Sequence, residues 1–248
     1  GPPQSKLNNI IQYFQKGEFT LAENLAASIT KDFPKHPFAW KAMGGILKQK
    51  GKLTKALLAC QQYNKLVPED SEGYNNIGVL QKELGKLNQA EACYKQAINL
   101  KFDYTLAHFS LGDVLKELGR LEEAEASYRT AISFQSDYAE VYNNLGITIK
   151  ELGRPNEAEV MFRKALAIKP KYVDAYNNLG NTLLRLGQFQ EAEENYREAL
   201  LLKPELYDAH SNKNLCLNYS SASSPLYIYK EHLEFEKSFG EKKFKKPN

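Results

Sequence analysis

The segment "AEVYNNLGITIKELGRPNEAEVMFRKALAIKPKY", residues 139–172, decides the fold because it holds two amphipathic helices and the signals that separate them. In its first half, Leu145 and Ile149 belong to an apolar pattern with the spacing of one helical face. Gly153 then marks a helix end in a left-handed conformation, and Pro155 suits the first turn of the next helix. The segment therefore predicts an antiparallel helical hairpin.

The same pattern returns every 34 residues along the chain. One glycine series runs through Gly44, Gly78, Gly112, Gly146 and Gly180, a second from Gly17 to Gly187, and an alanine series from Ala22 to Ala192. Since a mid-helix glycine costs about 1 kcal/mol relative to alanine, we expect Gly146 to make room for the partner helix, with Ala158 as the matching small surface. Three series with one step predict a stack of equivalent hairpins.

This pattern resembles the tetratricopeptide repeat, which has an aromatic residue, leucine and glycine in its first helix, and alanine, an aromatic residue, alanine and proline in its second. One hairpin carries it as Tyr176, Leu179, Gly180, Leu183, Ala192, Tyr196, Ala199 and Pro204. The resemblance implies an all-α fold, a tetratricopeptide-repeat solenoid that winds as a right-handed superhelix of antiparallel helix hairpins. We expect the solenoid over residues 3–217, with repeats at about 3–36, 37–70, 71–104, 105–138, 139–172 and 173–206 and an extra helix at 207–217.

The repeat pattern stops near residue 217, and a different ending follows. Ser224 can cap a helix whose first residue is Pro225. The apolar stripe predicted for this helix consists of Leu226, Tyr229, Leu233 and Phe235. We therefore expect a linker and a C-terminal capping helix over 218–240, which covers the last hairpin, and a disordered basic tail over 241–248.

Residues 215–240 are also similar to the join between the repeats and the catalytic half of O-linked N-acetylglucosaminyltransferase-like proteins. The matching residues are Asn218, Tyr219, Ser224, Pro225, Glu231 and His232. This similarity implies that the chain is the substrate-recognition arm of a larger glycosyltransferase, whose catalytic domain is absent from these residues.

Asparagine, a poor helix former, recurs on the side of the first helices that lies opposite the predicted core. In a solenoid of this type that side lines a concave groove. An amide offers a donor and an acceptor, which suits the backbone of an extended peptide. The predicted peptide-binding residues are Asn75, Asn76, Asn143, Asn144, Asn177, Asn178, Asn181 and Asn212, together with Phe109, Glu140 and Asp174. The alternative is that these asparagines are solvated or link adjacent repeats.

Carboxylates accompany the asparagines along the predicted groove. They are Glu72, Glu140, Asp174 and Asp208 near the start of the first helices, and Glu83, Glu117 and Glu151 near their end. An acidic floor argues against nucleic acid, whose phosphates require lysine and arginine. We therefore predict a protein or peptide partner in an extended conformation, neutral or basic in charge. A terminal-carboxylate clamp known in part of the family is matched at only two of the five positions Lys41, Gly45, Asn76, Leu106 and Ser110, which argues against a chaperone-tail partner.

Motifs for catalysis are missing from the sequence, which contains no HExxH, CxxC, GxSxG or GxGxxG. His108 and His210 occupy the aromatic position of their repeats, where a packing role is expected. Cys60 and Cys93 lie near the aromatic position of second helices and are expected to be small buried hydrophobes. We predict that the chain is not an enzyme and has no catalytic residue, no metal site and no cofactor.

Charge and cysteine content indicate the cellular compartment of the protein and the kinds of partner that it can bind. The formal net charge is only +3, and no apolar run is long enough to span a bilayer. Three cysteines without a paired motif predict reduced thiols in the cytoplasm. Besides the peptide-binding module and the glycosyltransferase arm, a third hypothesis stays open: a scaffold that self-assembles into a homo-oligomer.

Overall fold

A computed structural model describes residues 1–219 and 224–239 of the chain, which form fourteen α-helices and no strand. The helices are α1 (Gln4–Gln15), α2 (Phe19–Asp32), α3 (Pro37–Gln49), α4 (Leu53–Leu66), α5 (Ser71–Glu83), α6 (Leu87–Leu100), α7 (Thr105–Glu117), α8 (Leu121–Phe134), α9 (Ala139–Glu151), α10 (Pro155–Ile168), α11 (Val173–Arg185), α12 (Phe189–Leu202), α13 (Tyr207–Tyr219) and α14 (Pro225–Phe239). The predicted all-α fold is confirmed. None of these helices combines the length and the apolar character needed to cross a membrane.

Glycine closes each of the six hairpin turns. Gly153 adopts a φ of +79°, and its five counterparts have φ between +68° and +76°. The amide of Gly153 donates to the carbonyl of Lys150 over 3.1 Å, and that of Arg154 donates to the carbonyl of Ile149 over 3.1 Å, so the last carbonyls of α9 are satisfied. Pro155 then occupies the first turn of α10. The helix ends predicted at Gly153 and Pro155 are confirmed.

The chain forms two compact units, and the second begins at Gln135. The first unit contains α1 to α8 and the second contains α9 to α14. Within each unit, a first helix packs against its own second helix and against the second helix of the preceding hairpin, as α11 does with α12 and α10. Two neighbours therefore cover a first helix such as α11, and they bury residues that the pattern of that helix alone would place at the surface.

The cores of the four hairpins from α5 to α12 are each built on contact between a glycine and an aromatic ring. A Cβ atom placed on Gly146 would lie 2.7 Å from Cε1 of Phe162, a ring with no exposed surface. Tyr94, Tyr128 and Tyr196 lie in the same way against the glycines of their own hairpins. The prediction that Gly146 makes room for the partner helix is confirmed, but the room is taken by the ring of Phe162 rather than by Ala158.

The C-terminal helix α14 begins at Pro225, and the Oγ atom of Ser224 accepts a hydrogen bond of 3.2 Å from the amide of Tyr227. Both features were predicted. The predicted apolar stripe is wrong at two of its four positions, because Leu226 is 63% exposed and Tyr229 is 64% exposed.

The helix turns a different face toward its neighbours. The ring of Phe235 lies 5.2 Å from that of Tyr207, and the carboxylate of Glu231 accepts a hydrogen bond from Lys213, a residue of α13 that is only 8% exposed. A buried ammonium group requires an anionic partner, which explains why the glutamate side faces α13. The predicted tail at 241–248, and most of the serine-rich linker, lie outside the described residues.

Candidate functional site

Asparagine amides join successive first helices of the second unit. Asn178 Nδ2 in α11 donates to Asn143 Oδ1 in α9 over 3.1 Å, and Asn212 Nδ2 in α13 donates to Asn181 Oδ1 in α11 over 3.0 Å. The hydroxyl of Tyr196 also donates to Asn181 Oδ1 over 2.8 Å. These bonds hold the amides in fixed orientations and connect three repeats by side chains alone.

The predicted asparagines do not share one degree of exposure. Asn75 is 2% exposed and Asn143 is 4% exposed, so the expectation that they lie on the open side of their helices is wrong. Asn75 is buried because α5 packs against α4 of the preceding hairpin as well as against α6. Asn143 lies in α9, which packs against α10, and it bonds to Asn178 of α11. The half-buried members of the set are Asn76, Asn144, Asn177, Asn178, Asn181 and Asn212. For Asn143, the alternative of a link between repeats describes the structure.

Lysines neutralise the acidic floor of the first unit. Lys48 Nζ lies 3.1 Å from Glu83 Oε1, and Lys82 Nζ lies 3.0 Å from Glu117 Oε1, each pair joining one repeat to the next. Lys41 Nζ lies 2.7 Å from Glu72 Oε2 in a third pair of this kind. The first unit therefore lacks the continuous acidic surface that we expected from its sequence.

The second unit breaks this pattern of lysine and glutamate. At the position of Glu83 and Glu117, the second unit has Glu151 in α9 but Arg185 in α11, and Arg185 follows Lys150 at the same distance along the chain as Glu117 follows Lys82. Burial lowers the pKa of Lys150, Glu151 raises it and Arg185 lowers it further, with a net shift below the usual lysine range. Two cations therefore lie together at the ends of α9 and α11.

Carboxylates at the other ends of these helices differ in their pairing. Glu140 Oε1 accepts a hydrogen bond of 2.6 Å from Lys169, which lowers the pKa of that carboxyl. Asp174 and Asp208 are exposed, and neither has an ion-pair partner within the described ranges. These two aspartates are the part of the predicted acidic floor that is left to attract a cation.

A cavity of about 230 Å³ lies among α3, α4 and α5 of the first unit. Its lining includes Gly44, Gly45, Cys60 and Tyr63, and also Lys41, Lys48, Glu72, Gly73, Asn76 and Leu80. Gly45 is exposed whereas Cys60 is 9% exposed, so the cavity reaches from the surface into the hairpin. Burial raises the pKa of the Cys60 thiol to about 11, which keeps it protonated at neutral pH.

Side chains considered for catalysis have packing roles. His108 is buried, its Nε2 lies 2.8 Å from the carbonyl oxygen of Phe102, and its ring lies 5.7 Å from that of Phe134. Phe109, a predicted binding residue, is half-buried with its ring 6.0 Å from Tyr128.

No cluster of histidine, cysteine and acidic residues in 1–219 or 224–239 could hold a metal ion. Unlike Cys60, Cys93 is only partly buried.

Residues that match the glycosyltransferase join hold α14 in place. Besides the bond from Lys213 to Glu231, His232 Nε2 lies 3.4 Å from Asn218 Oδ1. Burial alone would raise the pKa of Glu231, but hydrogen bonds from Lys213 and Tyr227 outweigh it and hold the pKa below the usual range. In this chain these side chains have a structural role.

Two features of the groove were missed from the sequence, the cavity at Gly45 and the cation at Arg185. Each had a signal in the repeat alignment. Cys60 departs from an aromatic series formed by Tyr94, Tyr128, Phe162 and Tyr196, and Arg185 departs from a series formed by Glu83, Glu117 and Glu151. In both cases a departure from a series of equivalent residues marked the feature.

Comparison with known proteins gives a consistent family. Models described as "Tetratricopeptide repeat" and "TPR repeat" match residues 138–205, and residues 80–119 and 112–153, respectively. No curated protein sequence gives a match.

Solved structures of similar fold include three repeat proteins. MamA is 24% identical, with a TM-score of 0.62 over 66% of this chain and 95% of its own. YrrB, described as a TPR protein with an unusual peptide-binding site, is 18% identical, with a TM-score of 0.62 over 76% and 97%. PilW, a type IV pilus biogenesis factor, is 20% identical, with a TM-score of 0.73 over 84% and 96%. At these identities the likeness concerns the fold alone.

Proposed function

Because the chain is a tetratricopeptide-repeat protein, we propose that it is a protein-interaction module that binds an extended peptide along its first helices. In the second unit the proposed binding residues are Asn144, Asn177, Asn178, Asn181 and Asn212, with Glu140 and Asp174. In the first unit they are Asn76 and Phe109. YrrB, which has a similar fold, is described as having a peptide-binding site.

The observation that carries this proposal is the orientation of the half-buried amides on α11. Asn178 uses its Nδ2 atom, and Asn181 its Oδ1 atom, in bonds to neighbouring repeats. A side-chain amide has both donor and acceptor groups, so the Oδ1 of Asn178 and the Nδ2 of Asn181 complement the N–H and C=O groups of a peptide backbone. Since the inter-repeat bonds already fix both side chains, little conformational entropy is lost when a peptide binds.

The charge of the partner follows from the carboxylates that lack an ion pair. Asp174 and Asp208 are exposed at the start of α11 and α13. An extended segment with a lysine or arginine at this end of the groove gains an ion pair that the protein itself does not supply. A neutral or basic segment is therefore the proposed ligand of the second unit.

The proposed compartment is the cytoplasm. Cys60, Cys93 and Cys216 are all free thiols. Burial raises the pKa of Cys60 and of Cys216 to about 11 in each case, so both thiols stay protonated at neutral pH. Unpaired thiols are typical of a reducing compartment.

A peptide array probed with the purified chain tests the proposal. The test variant changes both Asn144 and Asn178 to alanine. The matched control is Asn143→Ala, which removes the buried acceptor of the same inter-repeat bond but no half-buried groove surface. We expect the double variant to lose the extended peptides that the unmodified chain binds, and the control to retain them.

Two results would contradict this proposal. One is that no peptide on the array binds the unmodified chain. The other is that Asn143→Ala loses the peptides as completely as the double variant does, since the asparagines would then act only by holding the repeats together.

A further inference from the structure

We propose that the cavity in the first unit is a socket for a phenylalanine side chain of the bound partner. At the position of Cys60 in the second helix, the four following repeats carry an aromatic ring, namely Tyr94, Tyr128, Phe162 and Tyr196. Each of these rings fills the space over the glycine of its first helix. Cys60 covers Gly44 with its Sγ atom alone, 2.5 Å from where a Cβ atom of that glycine would lie, and a cavity of about 230 Å³ is left beside the thiol.

The aromatic rings of the following repeats indicate which residues of the second repeat would contact such a ring. Tyr128 lies over Gly112, and its hydroxyl donates to Asp113 over 2.7 Å. Tyr196 lies over Gly180, and its hydroxyl donates to Asn181. The equivalent pair in the second repeat is Gly44 and Gly45, and both line the cavity.

Tyr63 does not take the place of the missing ring. It stands three residues after Cys60, and its Cε1 would lie 3.1 Å from a Cβ atom on Gly73 rather than against Gly44. Its hydroxyl donates to Asp70 over 2.5 Å, and this bond holds the ring at the side of the cavity. The cavity beside the Cys60 thiol stays open to an outside ring.

The size and the opening of the cavity suit a benzene ring. An engineered apolar cavity of about 150 Å³ binds benzene in another protein, and this cavity is larger. Gly45 gives access because it is exposed and a Cβ atom placed on it would meet nothing within 4 Å. A ring that enters past Gly45 lies beside Cys60 Sγ, the atom that covers Gly44.

The chemistry of the inner end selects phenylalanine over tyrosine. Cys60 and Leu80 are 9% and 2% exposed. A thiol is a weak donor and a weak acceptor, so a phenol hydroxyl that enters with the ring would lose water without gaining an equivalent hydrogen bond. Tyr128 and Tyr196 avoid this cost because they project from the second helix of their hairpins, and their hydroxyls donate to Asp113 and Asn181.

In naming a peptide as the carrier of the ring, this inference rests on the proposed function, whereas the socket can be tested without any peptide. Toluene is the side-chain analogue of phenylalanine, and p-cresol is that of tyrosine. We would titrate each into the ¹⁵N-labelled full chain and follow the amide signals of Gly44, Gly45 and Gly73. Toluene should shift all three signals, and p-cresol should bind about tenfold more weakly.

Two variants block the socket in different ways. Cys60→Phe supplies an internal ring as in the repeat of Phe162, and Gly45→Leu places a side chain at the opening without changing the core. The matched control is Gly45→Ala, whose methyl group enters open space. We expect toluene to shift the signals in the control and in neither blocking variant.

The socket proposal would be overturned if toluene did not shift these signals in the unmodified chain. It would also be overturned if toluene still shifted them in both blocking variants. Binding of p-cresol as tight as that of toluene would overturn the preference for phenylalanine. None of these results affects the peptide array, which decides the proposed function separately.

Discussion

Replacing Gly146 with alanine tests the most repeated contact of the fold, that between a glycine and an aromatic ring. The new Cβ atom would lie 2.7 Å from Cε1 of Phe162 and 2.9 Å from both Cδ1 and Cζ. Ordinary contacts between carbon atoms begin at about 3.5 Å. Because the ring is fully buried, it cannot move aside without displacing its neighbours.

The size of the effect follows from two opposing terms. Overpacking a core costs about 1–3 kcal/mol, and alanine returns about 1 kcal/mol relative to glycine within a helix. Since three atoms of one rigid ring are too close, the upper part of the first range applies. We expect the free energy of unfolding to fall by about 1–2 kcal/mol.

Urea unfolding followed by far-ultraviolet circular dichroism measures this change, and the fluorescence of Trp40 follows the first unit in the same samples. Gly45→Ala is the internal control, since its Cβ atom meets nothing within 4 Å. There the helix-propensity term acts alone, and stability should rise by about 0.5–1 kcal/mol. If Gly146→Ala proved as stable as the unmodified chain, the contact with Phe162 would not explain the glycine series.

Three further predictions concern charge and the thiol. Glu231 has a lowered pKa, so its stabilisation of α14 should be lost as the pH falls from the ordinary glutamate pKa of about 4.3 through the lower pKa of the folded chain. Hydrogen exchange of the α14 amides should then accelerate in the unmodified chain. The Glu231→Gln variant should show no such acceleration. Arg185→Glu should restore an ion pair to Lys150, so the pKa of that lysine should rise in an NMR titration, and the free energy of unfolding should rise by up to about 1 kcal/mol. An unchanged pKa would show that residues 150 and 185 are not paired as Lys82 and Glu117 are. Because burial holds the Cys60 thiol protonated, a disulfide reagent at pH 8 should modify it in urea but only slowly in the folded chain, and fast reaction in the folded chain would contradict its burial.

The fold could be predicted from the sequence because its main determinants are local and repeated. Gly153 needs a left-handed φ, and Pro155 suits a first turn, whatever the rest of the chain does. The glycine series showed close packing but not its partner, since spacing along one helix does not say which side chain of the next helix lies opposite. Phe162 was therefore not recognised as the group that needs the space.

The candidate site was less predictable because its features depend on contacts between repeats. Helical periodicity placed Asn143 on the open side of α9, yet it is only 4% exposed and accepts a hydrogen bond from Asn178 of α11. The same periodicity placed Glu83 and Glu117 on an acidic floor, yet lysines of the preceding repeats pair with both carboxylates. Both errors come from treating one helix at a time.

The asparagines that hold neighbouring repeats together would also bind the peptide, and this limits which positions of the groove can select one partner over another. Asn178 and Asn181 hold neighbouring repeats together through the same amides that would contact a peptide backbone, so changing them alters stability and binding at once. A backbone contact also discriminates little between partner sequences, because every extended segment offers the same groups. Selection of a particular partner must then come from positions that hold no such bond. Gly45 beside Cys60 is such a position, and there the second repeat departs from the aromatic series of the four repeats that follow it.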